Sequence, residues 1–597
     1  MVLIPVDVND WDTSCVRCKV AVYESMGDLF HPPGYQPYVT CAVCSLYEGV
    51  STPTHVKETL LSFPREDVMH AGRELNPYAY QADDSLLIAS VRSILVNNQQ
   101  GTGKTPTLLL SLDPSMGHLI ACPAPLTGNW AREGARWRPD LEFYVARSKG
   151  TWRLPGPGEV LIFSYGLLPG DPCSECKAKR KRACTHIADQ ANPVPKIDTP
   201  FTLSADEIQF IQNKTARRRR WDLLKNAIWD AGGSLRGLTG TSISNKPGDL
   251  REILQALNLD RAALGGAGGV ETTHRAIWRE WYENKKGMRS APMGREREAL
   301  LKRLRPVRIT RLRRHVLKHL PPVQEREPVL VRLTPQILAD VDEAVQRLLA
   351  KRRAWQDVRD GILKCPWGRW KNGVKKRHKL SADEKTRRTG LFDERVEMYF
   401  ITRPWVTDEE LKEAVREAMD TRNETPMIGE LSKIRAMLAL AKISTALEII
   451  VQHEERDEPL IVFCQHVGVL NKLFEGREGW GIFTGEYSLK KRDELYQAFQ
   501  KGDVKNGLGV SILSGAEGLN LTRAASMLFI DRFWNHSKNV QCQDRLNRPG
   551  AEIHDSITIW RLEADHAVDR LVDLTVREKA MLGEAIEDEE WSQRGLA

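Results

Sequence analysis

At 597 residues, with 41% hydrophobic and 28% charged residues, the chain has the composition of a globular protein large enough for several cores. No apolar run reaches the ~18 residues that suggest a membrane span, and the opening MVLIPVDVNDWD lacks the basic leader and apolar core of a secretory signal. The expectation is an intracellular protein of cytoplasm, nucleoid or host cytoplasm with no membrane partner. The net charge of +8 is modest but clustered, at Lys177–Arg182, Arg217–Arg220, Arg303–Arg314 and Lys371–His378, which points to a phosphate backbone as partner.

Residues 1–55 read as a metal-stapled module. Cys15, Cys18, Cys41 and Cys44 form two C-x2-C knuckles 22 residues apart, four soft ligands for a tetrahedral zinc in the manner of a zinc ribbon. So small a module can scarcely bury enough core, so the metal contributes to its folding. Cys173, Cys176, Cys184 and His186 form a second cluster, a knuckle inserted at 170–190, with KAKRKR placing five cations between its ligands. Clustered cysteines of this kind suit a reducing compartment and metal sites better than disulfides.

From 70 to 261, short apolar runs alternate with helical patterns: SILV (93–96), HLIAC (118–122), VLIFSYG (160–166), FTLSADE (201–207) and LRGLTGT (235–241). That alternation implies a parallel sheet. GTGKT (101–105) sits between SILV and the helical PTLLLSL (106–112), the context a phosphate-binding loop requires. Gly101, Thr102 and Gly103 let backbone N–H groups converge on phosphate. Lys104 reaches the β- and γ-phosphates, and the Thr105 hydroxyl ligates Mg²⁺. The fuller pattern has glycine where Asn98 stands here. In DEIQ (206–209), Asp206 is the candidate Mg²⁺ ligand and Glu207 the general base, with Gln209 sensing the γ-phosphate or relaying to the next motif.

The stretch 262–430 is charged, rich in Trp and Arg, and reads as a mostly helical bridge with few strand candidates. The α/β rhythm returns over 431–575 with PLIVFCQ (459–465), GIFTG (481–485), LGVSILS (508–514) and SMLFIDRFW (526–534), and 576–597 reads as a helical, charged tail. The fold class is α/β, with two parallel-sheet lobes, helical insertions and small zinc modules.

The motifs resemble those of superfamily-two helicases and, within them, the Swi/Snf-type DNA-dependent ATPases. The resemblance rests on ACPAPLTGNWAREGARW (121–137), SYGLL (164–168), DEIQFIQN (206–213), LTGTSISN (238–245), LRRHVLKHLPP (312–322), GAEGLNLTRA (515–524) and DRFWNHSKNVQCQDRLNR (531–548). It implies two RecA-like lobes with ATP in the cleft between them. It assigns Tyr80 and Gln81 to adenine recognition, Arg545 and Arg548 to the γ-phosphate as arginine fingers, and Gln541 and Asp544 to the nucleotide or to orienting those arginines. It places Asn129 and Trp130, and Thr239, Gly240 and Thr241, on loops facing the nucleic-acid track, and Gly518, Leu519 and Asn520 on a loop touching both the track and the ATP cleft, with Gly518 assigned to the nucleotide. Two departures stand out, Asn547 where the family has His and Pro549-Gly550-Ala551 where it has Ile-Gly-Gln. The resemblance favours a translocase on duplex or forked DNA, bound without sequence preference, over a strand-separating helicase. An RNA helicase and an ATP-binding DNA scaffold without turnover are the rival readings.

The two cysteine clusters predict a zinc content near two ions per chain; atomic absorption on carefully prepared protein that finds almost none removes both sites.

Overall fold

The computed structural model describes residues 54–61, 77–171, 192–240, 248–264, 300–301, 303–359, 368–371, 374–377, 383, 397–398, 400–401, 409, 425–515 and 519–587. All eight expected zinc ligands, together with Thr241 and Gly518, lie outside these residues.

The first lobe is a seven-stranded sheet. Its strands are β1 (Ser93–Val96), β2 (Gly117–Cys122), β3 (Glu142–Ala146), β4 (Glu159–Ser164), β5 (Phe201–Asp206), β6 (Ser234–Leu238) and β7 (Arg308–Ile309), in the spatial order β3-β4-β2-β5-β6-β1-β7. Every pairing is parallel. Strands β1, β2 and β5 are buried along their whole length because helices cover both faces. Period-two alternation sorts their side chains: Leu95, Leu119, Leu161 and Phe163 join one core, Ile94, Val96, Ile120 and Ile162 the other. Each such buried side chain contributes about 1.5–3 kcal/mol.

The second lobe repeats the plan. Its strands β8 (Val323–Glu325), β9 (Val329–Val331), β12 (Leu460–Cys464), β13 (Trp480–Phe483), β14 (Gly507–Ser511), β15 (Ser526–Phe529) and β16 (Ile557–Ala564) stand in the order β13-β14-β12-β15-β16-β8, with β9 also on β16. These pairings too are parallel. In sequence between β9 and β12 lies an antiparallel pair, β10 (Gly368–Lys371) and β11 (Val374–Arg377).

The stretch read as a helical bridge therefore supplies strands to both sheets. β7, β8 and β9 are two or three residues long, too short to show an alternation pattern. The run LGVSILS is part strand and part helix: the chain leaves β14 at Ser511 and turns into the helix Ile512–Gly515. Among the described residues no helix is long and apolar enough to cross a membrane.

Register brings the functional segments together. Asp206 pairs with Leu238, and Leu238 with Val96, so β5, β6 and β1 end at one level. The phosphate loop, the acidic pair and Thr239 all leave the sheet at that carboxyl edge, where open α/β sheets bind ligands.

Two glycines should respond in opposite directions. A Cβ on Gly507, at φ +149°, would stand 1.9 Å from the Leu460 carbonyl oxygen, so Gly507→Ala should cost about 3 kcal/mol or more. Gly468 is exposed in the helix Val467–Phe474 with nothing within 4 Å of an added Cβ, so Gly468→Ala should stabilise by up to about 1 kcal/mol. Urea unfolding of both variants checks the signs.

Candidate active site

The loop between β1 and the helix Lys104–Leu110 needs its glycines. Gly101 and Gly103 have φ of +81° and +76°, and a Cβ on Gly103 would lie 2.1 Å from Gln81 Nε2. Lys104 Nζ donates to the carbonyls of Asn98 at 2.8 Å and Gln99 at 3.3 Å. Burial lowers the lysine's pKa, while Glu207, Asp206 and Asp544 oppose that shift. Thr105 follows it, half-buried, in the first helical turn. Asn98, standing where glycine is usual, is fully buried and donates at 3.1 Å to Asp84, which pairs with Arg311 at 2.6 Å. The departure thus ties the start of the loop to the helix Ala79–Ala89 and to the segment after β7.

Tyr80 and Gln81 sit beside this loop. Tyr80 Oη and Gln81 Nε2 both donate to the Thr102 carbonyl, at 2.7 and 3.2 Å, and Gln81 Oε1 accepts from the Tyr78 amide at 3.0 Å. Tyr78 stacks between Tyr80 and His319, with centroids 5.6 and 6.0 Å away. Gln81 spends both ends of its amide on backbone in this arrangement.

At the end of β5, Asp206 is buried and held from three sides. Trp130 Nε1 donates to Oδ2 at 2.8 Å, the Glu207 amide to Oδ1 at 3.0 Å, and Tyr165 Oη to its carbonyl at 2.6 Å. Burial, with Glu207 beside it, pushes the Asp206 carboxyl up to about 6. Glu207 has φ +51°, a left-handed conformation uncommon for a residue with a side chain. Gln209 Nε2 donates to Glu207 Oε2 at 2.5 Å, and Gln209 Oε1 accepts from Thr239 Oγ1 at 2.9 Å. The candidate base is thereby wired to the loop after β6. Gly240 in that loop packs on Gln100, whose Cγ would be 2.6 Å from an added Cβ.

Trp130 departs from the expectation of a track-facing residue. The helix Thr127–Trp137 begins before it, and its indole is 1% exposed in the core with its N–H on Asp206. Asn129 is half-buried in the same helical turn. The run Arg217–Arg220 is partly structural: Arg218 is buried against Asp222 at 3.0 Å, and Arg220 pairs with Asp171 at 3.0 Å.

The second lobe contributes the helix His536–Gln543 and the turn after it. Gln541, Asp544 and Arg545 are buried there. Arg545 Nη1 donates to the Leu519 carbonyl at 3.5 Å, and Arg548 Nε to the Asp544 carbonyl at 2.9 Å. Burial, then the neighbouring Arg545, pulls the Arg548 pKa well below the guanidinium norm. Asn520 is half-buried, and its carbonyl accepts from Gln500. Asn547 Nδ2 donates at 3.4 Å to the Pro321 carbonyl, a contact with the segment that joins the lobes. Asp544 and Arg548 both lie near enough to Lys104 to influence its charge, so groups of the two lobes face each other across one cleft.

The residues fit a nucleotide with Mg²⁺. Positive-φ glycines open the loop, Lys104 lies against the loop's backbone carbonyls, and Asp206, raised by burial and by Glu207, is a carboxylate that a divalent cation would stabilise. The site also uses Trp130 and Tyr165, which lie within the motif segments but in roles not assigned to them there, and Asp84 and Arg311, which lie outside those segments. Arg313 also enters it, from the LRRH segment.

Residues 441–550 match the family described as Helicase conserved C-terminal domain. Over 555 residues the chain is 24% identical to the putative ATP-dependent helicase/translocase YwqA of Bacillus subtilis, covering 87% of this chain and 48% of that protein. Over 569 residues it is 21% identical to the DNA annealing helicase and endonuclease ZRANB3 of Mus musculus, covering 92% of this chain and 42% of that one. A solved structure, the Sulfolobus solfataricus SWI2/SNF2 ATPase core in complex with dsDNA, aligns at a TM-score of 0.33 and 18% identity, covering 87% of this chain and 94% of that one. The chain thus spans about half the length, or less, of these curated relatives. It is similar over most of its own length to ATP-dependent helicases, and residues 441–550 match a helicase C-terminal domain.

Because its folded pKa is raised, protonated Asp206 favours the fold, a contribution lost as pH rises through about 6. Mg²⁺ needs the ionised form, so Mg²⁺-dependent nucleotide binding should weaken as pH falls through about 6. Trp130→Phe removes a hydrogen bond that lowers this pKa and should move the acid limb to higher pH; an unmoved limb in Mg²⁺ titrations would detach Trp130 from the site.

Proposed function

We propose that the chain is a DNA-stimulated ATPase motor, a translocase or helicase that couples ATP hydrolysis to movement on, or remodelling of, DNA in replication, recombination or repair. The observation that carries this reading is the division of the site: Lys104, Asp206 and Glu207 stand on one lobe, while Arg545 and Arg548 approach from the other. Turnover then requires both lobes, and a change in their separation becomes work on a track.

In this reading the loop amides and Lys104 hold the ATP phosphates. Bound Mg²⁺, held through Asp206 and Thr105, supplies charge neutralisation at the phosphate oxygens. Glu207 takes a proton from the attacking water. Arg545 and Arg548 stabilise charge on the transferring phosphoryl group, a role worth about 10³–10⁵ in rate. Gln541 and Asp544 line the second-lobe side, while Gln81 with Tyr80 receives the adenine.

The Glu207–Gln209–Thr239 chain supports coupling to nucleic acid. Thr239, Gly240, Thr241, Asn129 and Asn520 are the proposed contacts to the nucleic-acid backbone, with Gly518 beside them on the nucleotide side. Such contacts position without reading sequence, so affinity should fall with salt at a log–log slope of about −0.9 per duplex phosphate. Duplex or forked DNA is the proposed partner, supported by relatives described as helicase/translocase and DNA annealing helicase. Two zinc ions at the cysteine clusters and an intracellular location complete the proposal.

ATP hydrolysis should rise severalfold or more with duplex DNA and vanish in Lys104→Ala. Glu207→Gln should bind ATP and DNA while losing about 10²–10⁴ in turnover. Stimulation by RNA alone would reassign the track; tight DNA binding with no turnover under any condition would favour the scaffold.

A further inference from the structure

The segment 310–322 links β7 of the first sheet to β8 of the second, and Arg313 on it touches both nucleotide-binding surfaces. Its backbone N–H donates to Gln99 Oε1 at 2.8 Å. Its guanidinium donates through Nε and Nη2 to the Gln100 carbonyl, at 3.1 and 2.7 Å. Gln100 immediately precedes the GTGKT loop, and a Cβ on Gly101 would lie 3.6 Å from Arg313 Nε, so the arginine packs along the outer side of that loop. Nη2 also stands 2.5 Å from Asp544 Oδ1 of the second lobe, with side-chain exposures of 11% and 6% for the pair.

Asp544 is well placed to pass this contact on. It directly precedes Arg545, and its carbonyl accepts from Arg548 Nε. Its Oδ2 is buried with no hydrogen-bond partner among the described residues, so its carboxylate relies on Arg313. The links run from the Gln100 carbonyl through Arg313 and Asp544 to the turn that carries both fingers. A buried ion pair of this kind adds little net stability over apolar replacements but penalises any geometry that separates its members. A guanidinium fits this position because one planar group satisfies a carbonyl of one lobe and a carboxylate of the other, which the point charge of a lysine does poorly.

We propose that Arg313 is the positioning residue that registers the arginine fingers against the phosphate loop. It acts through Gln100 and Asp544, sets the geometry of the closed cleft and takes no part in the chemistry. This inference rests on the ATPase reading for its kinetic consequence, but the latch itself does not.

The test uses the full chain with saturating duplex DNA. Arg313→Ala should lower kcat about tenfold to a hundredfold, as loss of register at a reacting centre does. KM for ATP and the affinity for a fluorescent ATP analogue should change by less than about threefold, because the phosphate loop and Lys104 remain. Arg313→Lys should recover only part of the loss. Arg313→Ala/Asp544→Ala should lose no more than the worse single variant, since the two act as one unit. An unchanged kcat, additive losses, or a raised KM with normal kcat would overturn the proposal. A second measurement does not need turnover: small-angle scattering of nucleotide-free protein should show a more open form for Arg313→Ala than for wild type, at unchanged circular dichroism. Should wild type hydrolyse no ATP with any nucleic acid, the ATPase reading fails and scattering alone decides: opening supports the latch, and identical profiles overturn it.

Discussion

The two sheets are joined by a short, heavily bonded segment, and the rest of the site depends on that join. β7 pairs with β1 beside the phosphate loop, and β8 pairs with β16 of the other lobe, with only residues 310–322 between them. The segment is anchored on both sides. The Arg311 carbonyl accepts from the Gln99 amide, the Arg311 guanidinium grips Asp84, and the Pro322 carbonyl accepts from Ile557. His319 stacks on Tyr78 while lying 3.5 Å from Glu552. Such a join limits the paths by which the lobes separate, as the proposed motor would require.

The cleft it frames concentrates buried charge of both signs. Burial opposes the charges of Lys104 and Arg548, Arg545 stands beside Arg548, and Asp206 and Glu207 place anions near Lys104. Burial raises the Asp206 carboxyl and depresses the two cations Lys104 and Arg548, and perturbed groups of this kind cluster at functional sites. Trp130, Tyr165 and the Glu207 amide restrain Asp206, so the arrangement does not relax by turning the carboxylate away. The strained backbone of Glu207 belongs to the same design: it sets the candidate base on the cleft side of the strand end and within reach of Gln209.

Much of the plan was legible in the primary structure because parallel strands buried on both faces leave unbroken apolar runs. SILV, HLIAC and the run around LIVFC are such strands, and the glycine spacing of GTGKT declares a tight turn. Short strands left no such trace. β7 to β9 depend on neighbours distant in sequence, and β16, ITIWRLEA, carries charge that masks its apolar positions. Within the site, the candidate phosphate and metal residues fall into motifs that suggest their roles, whereas the supporting roles of Trp130 and Tyr165, inside such segments, and of Asp84 and Arg311, outside them, emerge only from the structure. Trp130 reads as a loop aromatic until the helix Thr127–Trp137 turns it inward, and Asn98 reads as a defect until Asp84 and Arg311 appear beside it. Arg313 lies within a recognisable segment, but its partners, more than two hundred residues away on either side, become apparent only in three dimensions.

The central claim is that one active site is shared between two lobes. Its most direct test is Arg548→Ala, with ATP binding and single-turnover hydrolysis measured separately on duplex DNA. A shared site predicts near-normal binding with hydrolysis reduced by about 10³ or more, because the first lobe holds the substrate and the second acts on the developing charge. Wild-type hydrolysis in that variant would mean that the first lobe works alone, and the account of a two-lobe motor would be contradicted.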